Sequence, residues 1–279
     1  MIRSALVTAG VTAATELLDT AVEILAVPVD LGERAVVLVE APLPLVLKID
    51  TDPERAERER RALRLLTGRL PVPEIRFAID SPALVTGLSF LPGSRLDQRG
   101  WMGAGQALRV IHDLEPAGWA AHPSHPDEIL AWADSTATEA VMYGVLDEAT
   151  TDRFLRRVGS IHASTGAGQS RVVHGDFSTE HVLIGPEVNG ESPLMGLLDL
   201  GDVGVGDPVH DIAVLTLWHR DRLPEVLDGY QSDMAFTERA KQVLPLFRCL
   251  RFLTGALWLE QHGFNPTPFR VGLYEELLA

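Results

Sequence analysis

The rhythm of apolar and polar positions changes twice along this 279-residue chain. The opening MIRSALVTAGVTAATELLDT mixes small apolar and polar residues and then turns acidic, which predicts an amphipathic first helix and makes a poor cleaved leader. Runs rich in β-branched residues follow at 21–27 (AVEILAV) and 35–40 (AVVLVE), with turn formers across 28–34 (PVDLGER) between them. A third such run, LVLKI at 45–49, comes after the APLP turn. Asp52-Pro53 then opens a charged stretch whose Ala62, Leu63, Leu65 and Leu66 point to a core, the pattern of a capped amphipathic helix. VPEIRFAI and ALVTGLSF read as two further strands, ending at Leu91-Pro92-Gly93. Beyond Gly93 helical spacing dominates, over 100–114, 126–146, 147–163, 207–218 and 236–262, with a bend expected at Pro245. Short apolar runs, VVHGDF, HVLI and LMGLLDL, interrupt it.

These patterns describe an α+β chain with a small β-rich N-terminal lobe over 1–91 and a larger helical lobe over 92–279. At 46% hydrophobic residues the chain can bury one large core or two modest ones. The single cysteine, Cys249, excludes an intrachain disulfide and suits a reducing, cytoplasmic setting. There is no apolar run of the ~18 residues that a membrane span needs. A net charge of −15 repels phosphate backbones, so nucleic acid is not an expected partner. The excess is uneven: residues 1–93 carry 13 acids against 10 bases, residues 94–279 carry 26 against 14. An acceptor site in the second part would then favour a cationic or sugar-like ligand, although solvated surface charge explains the same numbers.

Candidate chemistry concentrates in two segments. Residues 173–184, VHGDFSTEHVLI, place a carboxylate after His-Gly in a turn, with a second polar group five residues on and an apolar strand next. Residues 197–213, LLDLGDVGVGDPVHDIA, end an apolar strand at Asp199, where an unpaired buried carboxylate would be costly and so implies a cation or strong donors. Phosphoryl transfer needs such a set: one carboxylate to orient a hydroxyl and take its proton, another to hold a metal. Lysine is scarce, only Lys48 and Lys241 among 24 basic residues, so an ammonium ending LVLKI reads as a choice for phosphate oxygens.

The paired segments resemble the signature of the aminoglycoside phosphotransferase family, HGDxxxxN followed by an Asp and GDPxxD, and the architecture resembles the protein-kinase fold. The resemblance implies a bilobal kinase-like enzyme using ATP or GTP with Mg2+. It makes Asp176 the catalytic base and His174 the structural histidine of its loop. Asp199 and His181 become the metal positions, and Asp207 and Asp211 the carboxylates that brace the loop. Lys48 takes the place of the third-strand lysine with Glu59 as its helical partner, and Leu88, Ser89, Phe90 and Leu91 become the hinge that meets the purine. The implied reaction is phosphorylation of a hydroxyl on a small molecule, an antibiotic of aminoglycoside, macrolide or nucleoside type. A metabolic kinase for choline, homoserine, fructosamine or a sugar, and a nucleotide-binding pseudokinase, are the alternatives. The chain is expected to act as a monomer or weak dimer.

Two departures from the family pattern matter. The metal-binding Asn is His181, although magnesium prefers oxygen. The nucleotide loop at 28–34 holds one glycine, Gly32, so a lid of backbone amides has little freedom to approach phosphates. For the acceptor, candidate lining residues are Asp202, Glu260, His262, Tyr274, Glu275 and Glu276.

Overall fold

The computed structural model describes residues 4–165, 168–188, 190 and 192–279, so residues 1–3 of the predicted first helix lie outside the description. In chain order the elements are α1 (Ala5–Leu18), β1 (Glu23–Asp30), β2 (Arg34–Ala41), β3 (Leu45–Asp50), α2 (Pro53–Leu66), β4 (Ile75–Ile79), β5 (Leu84–Ser89) and β6 (Ser94–Arg95). There follow α3 (Trp101–His112), α4 (Ile129–Met142), α5 (Glu148–Thr165), β7 (Arg171–Val173), β8 (Val182–Ile184), β9 (Leu194–Leu197) and β10 (Gly204–Gly206). The chain closes with α6 (Pro208–Leu215), α7 (Leu223–Gly229), α8 (Met234–Gln261) and α9 (Thr267–Leu278). None of the described helices is long and apolar enough to cross a membrane.

Two compact units result. The first holds the described residues up to Asp97 together with Glu180–Asp202; the second holds Gln98–Thr179 and Val203–Ala279. This differs from the expected single cut after residue 91. The Asp199 strand belongs to the first unit because β6, β8 and β9 form one three-stranded sheet, with Arg95 opposite Leu183 and Val182 opposite Leu197.

In the first unit an antiparallel sheet runs in the order β1-β2-β3-β5-β4. Alternation sets its two faces. Ala35, Val37, Val39, Leu45, Leu47 and Ile49 are buried against Val7, Ala13 and Ala14 of α1. The register lines up Val36, Lys48 and Thr86 on the opposite face, with Arg34, Asp50 and Leu84 in the next row. β1 extends to Asp30, through Pro28, where a turn was expected. It is an edge strand, so the missing proline N–H takes nothing from the ladder, and the connection shrinks to 31–33. α2 starts as expected, the Asp52 carboxylate accepting from the Glu54 and Arg55 amides with Pro53 in its first turn.

The second unit is helical around a two-stranded sheet of β7 and β10. α8 runs unbroken through Pro245 over 28 residues, a single element with a proline inside it. Its core-facing residues include Phe236, Val243, Leu246, Phe247, Leu250, Phe252, Leu253 and Leu257.

Candidate active site

In the first unit the predicted lysine sits within a cluster of charge. Lys48 Nζ donates to Glu59 Oε1 at 2.6 Å and to Asp199 Oδ1 at 2.7 Å. β3 delivers the lysine, and Glu59 comes from the buried face of α2. Asp199 follows β9 at φ +58°, a left-handed conformation that Asp tolerates better than most residues. Burial works against the Lys48 ammonium, but the charges of Asp199 and Glu59 outweigh it and hold its pKa above the ordinary lysine value. Burial likewise opposes the Asp199 carboxylate, yet Lys48, His181 and Arg55 together hold it well below the usual range. His181 Nε2 lies 3.6 Å from Asp199 Oδ2. Among the described residues no group of three or more His, Cys, Asp or Glu converges as a metal cage. One carboxylate completed by phosphate oxygens and water is a fit for magnesium, which seldom takes an all-protein cage.

The predicted hinge also falls in this unit. Leu88 is buried in β5 opposite Val46. The Ser89 amide donates to the Glu74 carbonyl oxygen and its hydroxyl accepts from the Glu74 amide, both at 2.9 Å. Ser89 is thus engaged with Glu74. Asp202, expected beside the acceptor, stands 3.7 Å from Arg55 of α2 in this same unit, whereas the other candidate lining residues belong to the second unit.

In the second unit β7 leads into the predicted catalytic loop. His174 is fully buried, packed edge-on against Phe177 at 5.3 Å, and Gly175 has φ +88°. The Asp211 carboxylate accepts from the His174 amide at 2.7 Å and the Gly175 amide at 3.0 Å, so its two oxygens grip the loop just before Asp176. His112 Nε2 lies 3.0 Å from Asp211 Oδ2, and its Nδ1 lies 2.9 Å from the Tyr230 hydroxyl. A neutral His112 satisfies both contacts if Nε2–H donates to the carboxylate and Nδ1 accepts from Tyr230. Burial opposes the Asp211 charge, but hydrogen bonding from His112, with His210 alongside, holds its pKa well below the ordinary value. Asp207 caps α6 through the Val209 amide, as its place before Pro208 predicts, and also takes a two-pronged contact from Arg239 of α8.

Asp176 itself accepts from Arg251 Nη2 of α8 at 2.7 Å. Of the remaining acceptor candidates, Glu260 is exposed and His262 stacks on Trp258 with ring centroids 4.3 Å apart. Tyr274 and Glu275 lie on α9, Glu275 exposed. Glu276 points the other way: it is 2% exposed and paired with Arg220 at 2.7 Å, so it belongs to the core and not to a lining. Arg55, Arg251, His112, His210 and Arg239 were all missed in sequence. Each stands on a helix where charge reads as solvated surface, and no local motif marks it.

A family model described as the phosphotransferase enzyme family matches residues 23–244. Among solved structures, the GDP and kanamycin complex of APH(2")-IIia is 17% identical, with a TM-score of 0.71 and 98% of this chain and 96% of that one covered. A microcompartment-associated aminopropanol kinase is 18% identical, with a TM-score of 0.71 and coverage of 96% and 95%. A macrolide 2'-phosphotransferase type I is 21% identical, with a TM-score of 0.66 and coverage of 100% and 98%. At these identities the likeness establishes the protein-kinase-like fold. No curated protein matches the chain by sequence.

Proposed function

Because this chain belongs to the phosphotransferase enzyme family, we propose that it moves the terminal phosphoryl group of ATP or GTP onto a hydroxyl of a small, antibiotic-like molecule. The observation that carries this reading is Lys48 held between Glu59 and Asp199 at 2.6 and 2.7 Å. An ammonium fixed by two carboxylates has one N–H left for a phosphate oxygen, and both carboxylates stay ionised around it. Asp199 would hold magnesium with the nucleotide's own oxygens, and the ion would neutralise charge on the transferring group. Asp176 would orient the acceptor hydroxyl and take its proton, on a loop kept in place by Asp211. His181 would steady the Asp199 carboxylate from the far side. Most of the acceleration in such a site comes from positioning and fixed charge.

A metabolic acceptor is the second reading, and Arg251 favours it. A guanidinium 2.7 Å from the proposed base is a poor neighbour for a polycationic aminoglycoside and a good one for an acceptor with a carboxylate or neutral hydroxyls. A solved structure of this fold is an aminopropanol kinase, whose named acceptor is a small alcohol. A panel of antibiotics and of small metabolic alcohols, each assayed for nucleotide consumption with ATP and with GTP, separates the two. The Asp176→Asn variant should lower turnover about 10²–10⁴-fold and leave nucleotide binding intact. Undiminished turnover in that variant removes the assignment, and a zero rate on every acceptor leaves a nucleotide-binding pseudokinase.

A further inference from the structure

The β1–β2 connection is too short and too committed to act as a phosphate-gripping lid. The Leu31 amide donates to the Arg34 carbonyl oxygen at 2.9 Å, closing the hairpin on itself. The Glu33 carbonyl oxygen accepts from both the amide and the hydroxyl of Thr51, each at 3.0 Å, which ties the tip to the corner between β3 and α2. Its side chains add Asp30 and Glu33, of the wrong sign for a phosphate chain. In most nucleotide sites free backbone amides do this work. Here the connection is three residues long and the Leu31 amide is already committed.

Cationic side chains stand in the same pocket. Its lining includes Arg34, Lys48 and Arg55, with Asp50, Glu59 and Asp199. Arg55 leaves the first turn of α2 and reaches 3.7 Å from both Asp199 Oδ1 and Asp202 Oδ2, contacts too long for hydrogen bonds. Among the described residues its guanidinium makes no hydrogen bond, and Arg34 makes no ion pair. Two cations thus crowd one oxygen of Asp199, Lys48 at 2.7 Å and Arg55 at 3.7 Å. Once that carboxylate turns to a metal, Arg55 keeps only the long contact to the half-exposed Asp202, and a phosphate entering the pocket offers its guanidinium the hydrogen bonds it lacks. Gly201 makes the approach feasible, since a Cβ there would stand 2.7 Å from Arg55 Nε. Arg58 Nη1 donates to the Gly201 carbonyl oxygen at 3.1 Å and fixes that loop against the helix.

We propose that Arg55, assisted by Arg34, is a phosphate ligand for the nucleotide and supplies with guanidinium groups what a glycine-rich loop supplies with amides. Planar guanidinium forks suit phosphate oxygens and need no freedom in the loop. The inference rests on the kinase reading and adds to it a grip that the family signature does not contain.

Calorimetric binding to the full chain tests it, with the β,γ-imido analogues of ATP and GTP and with adenosine and guanosine as probes, in magnesium and again in EDTA. Arg55→Gln should weaken the triphosphate analogues about tenfold and leave the nucleosides unchanged. Arg34→Gln should do the same more weakly, by a few-fold. Arg55→Lys, which keeps a charge at the helix start, should lie between wild type and Arg55→Gln and guards against a folding defect. The weakening should persist in EDTA, because a residue that merely braces Asp199 for a metal loses its effect when the metal is gone. Wild-type affinity in Arg55→Gln, equal losses for nucleosides and analogues, or a loss confined to magnesium would each overturn the proposal while the kinase reading stands. A wild-type chain that binds neither analogue would overturn both.

Discussion

Arg251 and Cys249 share the same helix, two residues apart, and their surroundings dictate opposite chemistry. Arg251 donates one N–H to Asp176 Oδ1. Replacing it with Met removes a cation 2.7 Å from the proposed base, so kcat/KM should fall about tenfold, and Arg251→Lys, which restores a charge in reach of the carboxylate, should recover part of the loss. An unchanged kcat/KM in Arg251→Met would make the pair a surface ornament worth little. Cys249 is fully buried, and that burial, with the charge of Glu276 behind it, pushes its thiol up to about 12. Because the thiolate is the reactive species, the native protein should resist a thiol-selective disulfide reagent at pH 8 and react stoichiometrically once unfolded. Rapid labelling of the native chain would contradict the packing around α8.

At the scale of elements, α3 and α7 are locked together by two glycines facing in opposite directions. A Cβ on Gly105 of α3 would collide with the Val226 carbonyl oxygen, and one on Gly229 of α7 with that of Met102. Backbone cannot yield as a side-chain tip can, so Gly105→Ala should cost about 1–3 kcal/mol despite alanine's better helix propensity, lowering Tm by several degrees in a thermal melt. A stabilised variant would mean the helices pack with slack. The same contrast explains what sequence could tell. Strands β2, β3 and β5 and helix α2 were legible because alternation, β-branching and an Asp-Pro start are local signals. The spacing of Asp176, Asp199, Asp207 and Asp211 is a local signal of the same kind, and the roles it suggests belong to the proposed function. α7 was not legible: seven residues that include a proline and end in a glycine carry too little periodicity to read. β1 was misjudged because the tolerance of Pro28 depends on its place at the sheet edge, which only the assembled sheet decides. Arg55 was hidden for a similar reason, since in a run of alternating charges nothing local separates the one that turns inward.

For the molecule as a whole, one fully buried carboxylate ties the proposed catalytic loop to global stability. Asp211 is wholly inaccessible and joined to the His174 and Gly175 amides and to His112, which itself meets Tyr230. Its pKa in the folded protein lies well below that of an unfolded chain, about 3.9. Below pH ~4 the unfolded state therefore binds a proton that the folded state refuses, and stability drains as pH falls towards the folded value. Above pH ~5 both states are ionised and the contribution is constant. Asp211→Asn removes the charge and leaves one oxygen to serve two amides and an imidazole, so it should cost about 3–5 kcal/mol at pH 7. The variant has no proton to refuse at this site, so its stability should follow a shallower slope in acid. Denaturant melts from pH 7 to pH 2.5 should then show a gap between wild type and variant that is flat above pH ~5 and closes steadily below ~4. A gap of constant size down to pH 2.5 would mean that Asp211 is braced by shape alone, and the electrostatic account of the loop would have to be given up.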